Sequence, residues 1–572
     1  MGENKDDSIY SPLQQLKMRG SAIVVVLAMF ACTYLSLGII VLFRVKNAVF
    51  SSSKPITADS KCKSKTVLVS GAKMTKALFY VRALGRAGHR VVLIETPKYW
   101  LSGSRFSRFV SSFYTVPDPR FEEDKYTEAV LKICKDEAVD VFVPLSAPSV
   151  ALCESRMMGI LKSKLDIDTL HFNEEDCTKL DDKDRFCALS KQFGLLTPVS
   201  FRMESKDEIR TFNSKLNLQS DHESSQQYIL KSIVYDPLRR IDMFKLPCAD
   251  TMLDGYLNDI TVSKSVPWTI QEFLVGQEYM CGAIFRDGHL GAAAMCKASA
   301  SVLNYRNEFI PEIFNWMRTF GQNSKCTGSA QVDFFLTTDG RVMPIEFNPR
   351  AGSALMMVED SKLGHIMALD EEFFSEPTLQ PDSSQPDLYW FYNEIGLLLA
   401  KRFSIAAVIQ FVKEIVRGKD AVFDMDDVLP FLMFNHFQVP LLLLDTFFAG
   451  RKWHKVDFCI GKVVEDGGGG GGSGVWWRGG DELRGRCQPL GRRGGARDNR
   501  EACANCLVGE VPVTATPGSY AGDTWSSCGE FRGCGFRAHN AYFGTGLPTL
   551  VPLGGGGAPN VSHITKSVRL PT

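Results

Sequence analysis

Net charge is what this 572-residue chain lacks: its 65 lysines and arginines are matched by 65 aspartates and glutamates. With no basic excess, nucleic acid is not an indicated partner. The 16 cysteines lack the paired spacing of a disulfide framework. Scattered singly among helical and strand-like stretches, they read as reduced thiols of a reducing compartment. Cys503-Ala-Asn-Cys506 has no second pair at zinc-site spacing, because Cys528 and Cys534 stand too far apart, so no metal finger is indicated. From residue 467 the chain is poor in whatever builds a core. Those 106 residues hold no methionine, one isoleucine and one lysine, but 25 of the 48 glycines. Such a segment cannot offset the entropy of ordering. Residues 467–572 are therefore expected to be a disordered Gly/Arg-rich tail, like sequence not selected to encode protein, and stay outside the functional reading.

One stretch lacks charge altogether. Residues 20–43, between Arg19 and Arg44, carry none, and at about 1.5 Å per residue they can cross a hydrocarbon core of about 30 Å. The stretch is longer than a secretory h-region, so a retained transmembrane helix is expected. Arg44, Lys46 and Lys54 follow it against Lys17 and Arg19 before it, which puts the body of the protein on the cytoplasmic side. One alternative is a cleavable organelle (plastid) address, because residues 44–65 are rich in Ser and Lys with Asp59 the single acid, and another is a buried helix.

What remains is of ordinary globular composition, 45% hydrophobic and 23% charged, with ample length for large cores. After the segment 1–60, residues 66–70 read as a buried strand ended by Gly71. A helix over 74–87 closes at Gly88, and a second strand runs over 90–94. A helix over 126–137 and a strand over 140–144 continue the alternation. This pattern opens a doubly wound α/β domain over 61–165, and a lone strand–glycine–helix unit is no evidence that it binds nucleotide itself. Residues 166–375 change to an α+β pattern, with strands over 227–231, 268–273, 278–286 and 330–336. Thr338-Asp-Gly340 then turns a hairpin into a strand over 342–347. Residues 376–466 are apolar and mostly helical. The charge-free run 428–444 is interrupted by Pro430, Asn435, His436 and Pro440, which favours a core or interfacial element over a span.

The chemistry concentrates between Lys183 and Arg350. Asp333 and Glu346 lie on the two strands of the Thr-Asp-Gly hairpin and can face each other. Asn348 shares the face of Glu346 because alternate strand residues point the same way. Oxygens converging from two strands suit an octahedral magnesium shared with phosphates, and Arg350 can steady a phosphoryl group in transfer. Either acid alone reads as a solvated strand position; the combination with Asn348-Pro-Arg350 does not.

Asp333, Glu346, Asn348 and Arg350 in this spacing resemble the metal-binding end of ATP-grasp enzymes. Upstream residues follow that family's order. Lys183 resembles its first phosphate-contacting lysine, and Lys231 its strand lysine reaching the α-phosphate and adenine. Gln271-Glu272-Phe273-Leu274 resembles its hinge, where Glu272 and the Phe273 backbone read the adenine edge. Glu278 resembles its ribose-binding acid. The loop after Lys231, glycine-rich in the family, is here Ser-Ile-Val-Tyr-Asp-Pro-Leu-Arg239-Arg240, so Arg239 and Arg240 are expected to cover the phosphates. The resemblance implies a two-lobed ATP-grasp module using ATP and magnesium, with manganese as an alternative ion.

A closer resemblance spans most of 61–466. Ser70-Gly-Ala-Lys-Met-Thr-Lys-Ala-Leu78, Lys98-Tyr-Trp-Leu-Ser-Gly-Ser-Arg-Phe106, Phe113-Tyr-Thr-Val-Pro117, Tyr235-Asp-Pro-Leu-Arg-Arg240, Lys245-Leu-Pro-Cys248 and Val456-Asp-Phe-Cys-Ile-Gly-Lys462 are similar to the ATP-grasp ligase of mycosporine-like amino acid biosynthesis. It implies condensation of a cyclohexenone-type acceptor, 4-deoxygadusol, with an amino acid, glycine, through a phosphorylated enol oxygen. The acceptor is expected near Lys73, Lys76 and residues 99–105. Ala351-Gly-Ser-Ala354 departs from the family's residues. The alternatives are an ATP-grasp amino acid or peptide ligase acting on a true carboxylate, and a membrane-tethered, non-catalytic binding protein.

Overall fold

The computed structural model describes residues 20, 23–34, 36–38, 40–41, 62–145, 147–219, 226–233, 244–297, 303–359, 361–383, 385–449, 451 and 453–465. Arg239, Arg240, the basic stretch 42–61 and the tail 467–572 lie outside the described residues.

A first helix, α1 (Ile23–Gly38), falls in the uncharged stretch. It is not free-standing. Val26, Met29, Ser36 and Ile40 are buried against the body, while Val24, Leu27, Phe30, Tyr34, Leu37 and Val41 are exposed.

An α/β domain follows, and its sheet runs past the expected boundary at 165 to include Asp168–Thr169. β1 (Thr66–Val69), α2 (Thr75–Arg86), β2 (Arg90–Glu95), β3 (Val110–Thr115), α3 (Glu123–Asp136), β4 (Val141–Val143), α4 (Pro148–Leu165) and β5 (Asp168–Thr169) form a parallel sheet of order β3-β2-β1-β4-β5. Val67, Leu68, Val69, Val91, Val92 and Leu93 are all buried, as helices on both faces require. The sequence does not signal β3 (VSSFYT), because an exposed edge strand needs no apolar run.

Helices α5 (Glu174–Asp181) and α6 (Lys183–Gln192) lead into two antiparallel sheets. The first, of order β6-β9-β7-β8, holds β6 (Ser200–Met203), β7 (Tyr228–Ser232), β8 (Phe244–Leu246) and β9 (Trp268–Glu272). Its apolar face packs on α7 (Lys206–Gln219) and α8 (Asp250–Asn258) through Ile209, Leu253 and Leu257. The second, of order β11-β10-β12-β13, holds β10 (Gly276–Arg286), β11 (His289–Lys297), β12 (Gly328–Thr337) and β13 (Val342–Asn348). One face buries Phe186 of α6 and Trp316 and Phe320 of α9 (Pro311–Ser324). From its other face Met280, Ile284, Ala292 and Ala294 join the core of the first domain, with α10 (Lys362–Met367) between.

The C-terminal region pairs β14 (Leu388–Tyr389) with β15 (Lys419–Asp420) around α11 (Phe391–Ala400) and α12 (Ile405–Arg417). One continuous helix, Leu429–Phe448, comprises α13 (Leu429–Met433), a π turn and α14 (Val439–Phe448). Among the described residues it is the helix long and apolar enough to cross a membrane, but more than half of its apolar window is buried in the body. Its buried Asn435, His436 and Gln438 are hydrogen-bonded within the protein, which makes it a core helix.

A closing hairpin, β16 (Trp453–Asp457) and β17 (Lys462–Glu465), seats its turn on the start of α2. The Thr75 amide and hydroxyl donate to the Cys459 carbonyl at 3.1 and 2.9 Å. Gln438 Nε2 donates to the carbonyls of Lys73 (3.0 Å) and Gly461 (2.9 Å). Gly461 has φ +60, and a Cβ there would lie 1.9 Å from the Lys73 carbonyl oxygen. Gly461→Ala is therefore expected to cost about 1–3 kcal/mol from strain alone and to lower Tm by several degrees in a calorimetric scan. An unchanged Tm would contradict this packing.

Candidate functional site

The hairpin register puts Asp333 directly opposite Glu346 and Gln331 opposite Asn348. Met280 of β10 pairs with Asp333, and Glu278, two residues earlier, shares its face. Gln331 Nε2 donates to Asp333 Oδ1 at 3.3 Å and Asn348 Nδ2 to Asp333 Oδ2 at 3.4 Å. Burial and then the negative charges of Glu346 and Glu278 push the Asp333 carboxyl up to about 8. Glu278 is raised as well, by burial and by Glu346. Three carboxylates crowded this way repel one another. A hard cation with oxygen ligands fits them: Asp333 and Glu346 would hold it, with the Asn348 amide bridging to Arg350.

Two lysines approach from other elements. Asp182 caps α6 by accepting from the Asp184 and Arg185 amides, which fixes Lys183 at the helix start. Lys183 Nζ reaches Glu346 Oε1 at 3.0 Å. Lys231 leaves β7 and donates to Gln271 Oε1 of β9 at 3.2 Å. Burial, and then the Lys183 charge, lowers Lys231 to about 8. Among the described residues, Gln271 Nε2 is buried with no hydrogen-bond partner, a donor left for a bound group. Arg350 donates to Asp181 Oδ1 at 3.1 Å and to Asn348 Oδ1. Lys183, Lys231, Gln271, Glu278, Asp333, Glu346, Asn348 and Arg350 are thus linked by hydrogen bonds, strand register and mutual charge.

The hinge residues are held by neighbouring elements. The Glu272 carboxylate accepts from Arg341 at 3.2 Å and from the Val199 amide at 3.2 Å. The Phe273 amide donates to the Gln227 carbonyl at 2.8 Å. These bonds fix the Glu272 carboxylate and the Phe273 amide, and the Phe273 ring lies 3.9 Å from Lys245 Nζ. Asp181, Gln331 and Arg341, which hold Arg350, Asp333 and Glu272, are missed by the sequence reading. Only Arg341 carries a local signal, its place beside the hairpin turn.

Beyond Arg350 the chain meets the first domain. The buried Lys76 donates from Nζ to the Ala351 carbonyl at 2.7 Å, and burial lowers it to about 8. Lys73 Nζ is 3.8 Å from Glu95 and lies 4.4 Å from the centre of the Tyr99 ring. Lys462 is lowered by burial and by Lys73, Arg120 and Lys98, against Asp457. Ser353 Oγ and Cys459 Sγ are 3.1 Å apart. The result is a cation-rich rim at the junction of three segments.

The Asp333 shift predicts how metal affinity varies with pH. An acid raised in the folded protein keeps its proton below that value, and a ligating carboxylate must lose it. Affinity for magnesium or manganese should rise by at most about tenfold per pH unit from about pH 6 to 8, then level off. Calorimetry in two buffers of different ionisation enthalpy should show proton release on binding that fades above that range. Constant affinity without proton release would contradict the assignment.

No protein-family model and no curated protein matches the chain. Solved structures similar to it include N5-carboxyaminoimidazole synthetase from Staphylococcus aureus, at TM-score 0.43 and 10% identity, covering 60% of this chain and 87% of that one. A biotin carboxylase–ATP complex from Campylobacter jejuni has TM-score 0.43 and 11% identity over 56% and 73% of the two chains. An L-amino acid ligase from Bacillus licheniformis has TM-score 0.35 and 15% identity over 53% and 70%.

Proposed function

We propose that the chain is an ADP-forming ATP-grasp ligase joining an amine to a small molecule through a phosphorylated oxygen. The observation that carries this reading is the Asp333–Glu346 pair, where burial and then crowding raise Asp333 and where Glu346 meets Lys183. When bound, magnesium would neutralise the outer phosphates. Asp333 and Glu346 would hold it, while Lys183 and Lys231 would hold the ATP phosphates. Arg350, pinned by Asp181 and Asn348, is aimed at the group in transfer. The γ-phosphoryl moves to the acceptor oxygen and ADP leaves. The amine nitrogen then bonds to the acceptor carbon, that carbon–oxygen bond breaks, and phosphate departs with the oxygen while nitrogen sheds a proton.

For the substrates we propose 4-deoxygadusol and glycine, giving mycosporine-glycine. The support is the family resemblance together with the way its separate motifs meet: Thr75 donates to the Cys459 carbonyl, and Gln438, outside the motifs, ties Lys73, Gly461 and Gly103 (2.8 Å) together. The cation-rich rim suits an acceptor that is a vinylogous acid. Incubating the full chain with ATP, magnesium, 4-deoxygadusol and single amino acids, read by mass spectrometry, tests this. A glycine adduct that absorbs at longer wavelength than the enol is expected, with ADP. A dipeptide formed from amino acids alone would favour the carboxylate ligase, and no ATP turnover under any condition would favour the binding protein.

A further inference from the structure

α12 is built inside out. Its acid Glu414 points into the protein and accepts from Arg306 at 2.8 Å. Its apolar residues Ile405, Ile409, Val412 and Val416 face outward at 81, 63, 52 and 72% exposure, and Val408 is exposed beside them. Positions 405, 408, 409, 412 and 416 form one helical stripe. Scattered exposed apolar residues are ordinary, but a whole helix face of them with the acid turned inward is not.

α1 repeats the pattern nearby. The His436 ring bonds the Met29 carbonyl through Nδ1 (2.8 Å) and Ser36 Oγ through Nε2 (3.0 Å), and Ser36 Oγ lies 3.0 Å from Tyr392 OH of α11. These buried polar contacts clamp one face of α1 to the body and leave its other face, Val24, Leu27, Phe30, Leu37 and Val41, apolar and exposed.

The surrounding charge selects the occupant. Across residues 391–417 the exposed charged side chains are Lys401, Arg402, Lys413 and Arg417, while both acids, Glu394 and Glu414, are buried. A second copy docked on this face by two-fold symmetry would set cations against cations. An anionic lipid leaflet matches both the apolar stripe and its basic flank. We propose that the outward faces of α12 and α1 seat the protein on an anionic membrane surface as an interfacial attachment that does not span the bilayer.

Flotation of the full chain with extruded vesicles tests this, comparing phosphatidylcholine alone with a mixture containing about 30% phosphatidylserine. Binding to the mixture is expected, and the pair Ile409→Asp with Val412→Asp should weaken it by about tenfold or more. Replacing Lys401, Arg402, Lys413 and Arg417 by Gln should remove the preference for phosphatidylserine, and alkaline carbonate should strip the protein from the vesicles. Both variant sites are exposed, so circular dichroism and Tm should match the parent. Failure to float with the mixture, unchanged binding by the Asp pair, or retention after carbonate would each overturn the proposal. So would a lipid-free dimer, seen by sedimentation, that the Asp pair dissolves.

Discussion

Glu346→Gln and Asp333→Asn should each lower turnover by at least about 100-fold at saturating magnesium, because each removes an anionic ligand from an ion that must neutralise phosphate charge. Glu346→Gln also releases Lys183 from its 3.0 Å partner. Stability should move the other way for Asp333. Its pKa is raised on folding from the ordinary carboxylate range to about 8, so between those values the folded state holds a proton that the unfolded chain gives up, and stability falls as pH climbs from about 4 to 8. Asn cannot ionise and removes the crowding, so the Asp333→Asn protein should unfold at an equal or higher Tm than the parent at pH 8.5. Inactivity with undiminished Tm separates a ligand from a structural acid. Turnover above about a tenth of the parent's, for either variant, would dismiss the ligand assignment.

The parts of this site that could be read from sequence are those that local rules control. A Thr-Asp-Gly turn announces the hairpin, but register counted from it would set Asp333 opposite Ile345; the irregularity between Asp333 and Phe334 adds one residue to β13 and brings Glu346 opposite Asp333 and Asn348 opposite Gln331. Buried β-branched runs likewise announce β1 and β2, while β3 and β8, short or at an edge, carry no such signal. Contacts made across elements were out of reach. Nothing near Glu272 foretells Arg341, 69 residues away, and nothing near Arg350 foretells Asp181. The stretch 20–43 shows the same limit. Its lack of charge is visible in sequence, but the His436–Ser36–Tyr392 contacts that bury one face belong to residues far along the chain.

Arg350→Ala should slow the chemical step by roughly 100- to 1,000-fold, the range for losing one donor aimed at developing charge, while ATP affinity changes little. The guanidinium is placed before any substrate arrives, by Asp181 at 3.1 Å and by Asn348, so it loses little freedom when phosphoryl transfer begins. Arg350→Lys should not restore the rate, because an ammonium cannot span both partners in the plane of a fork. Single-turnover quenching separates the step from binding and release. Heavy oxygen at the reacting position of the acceptor should appear in the released phosphate, since the bond that breaks is the one between acceptor carbon and that oxygen. Label kept in the organic product, or AMP among the nucleotides, would rule out the phosphorylated-oxygen route even if the amine were still joined. A large loss of ATP affinity with the chemical step intact would instead make Arg350 a ground-state contact of the nucleotide.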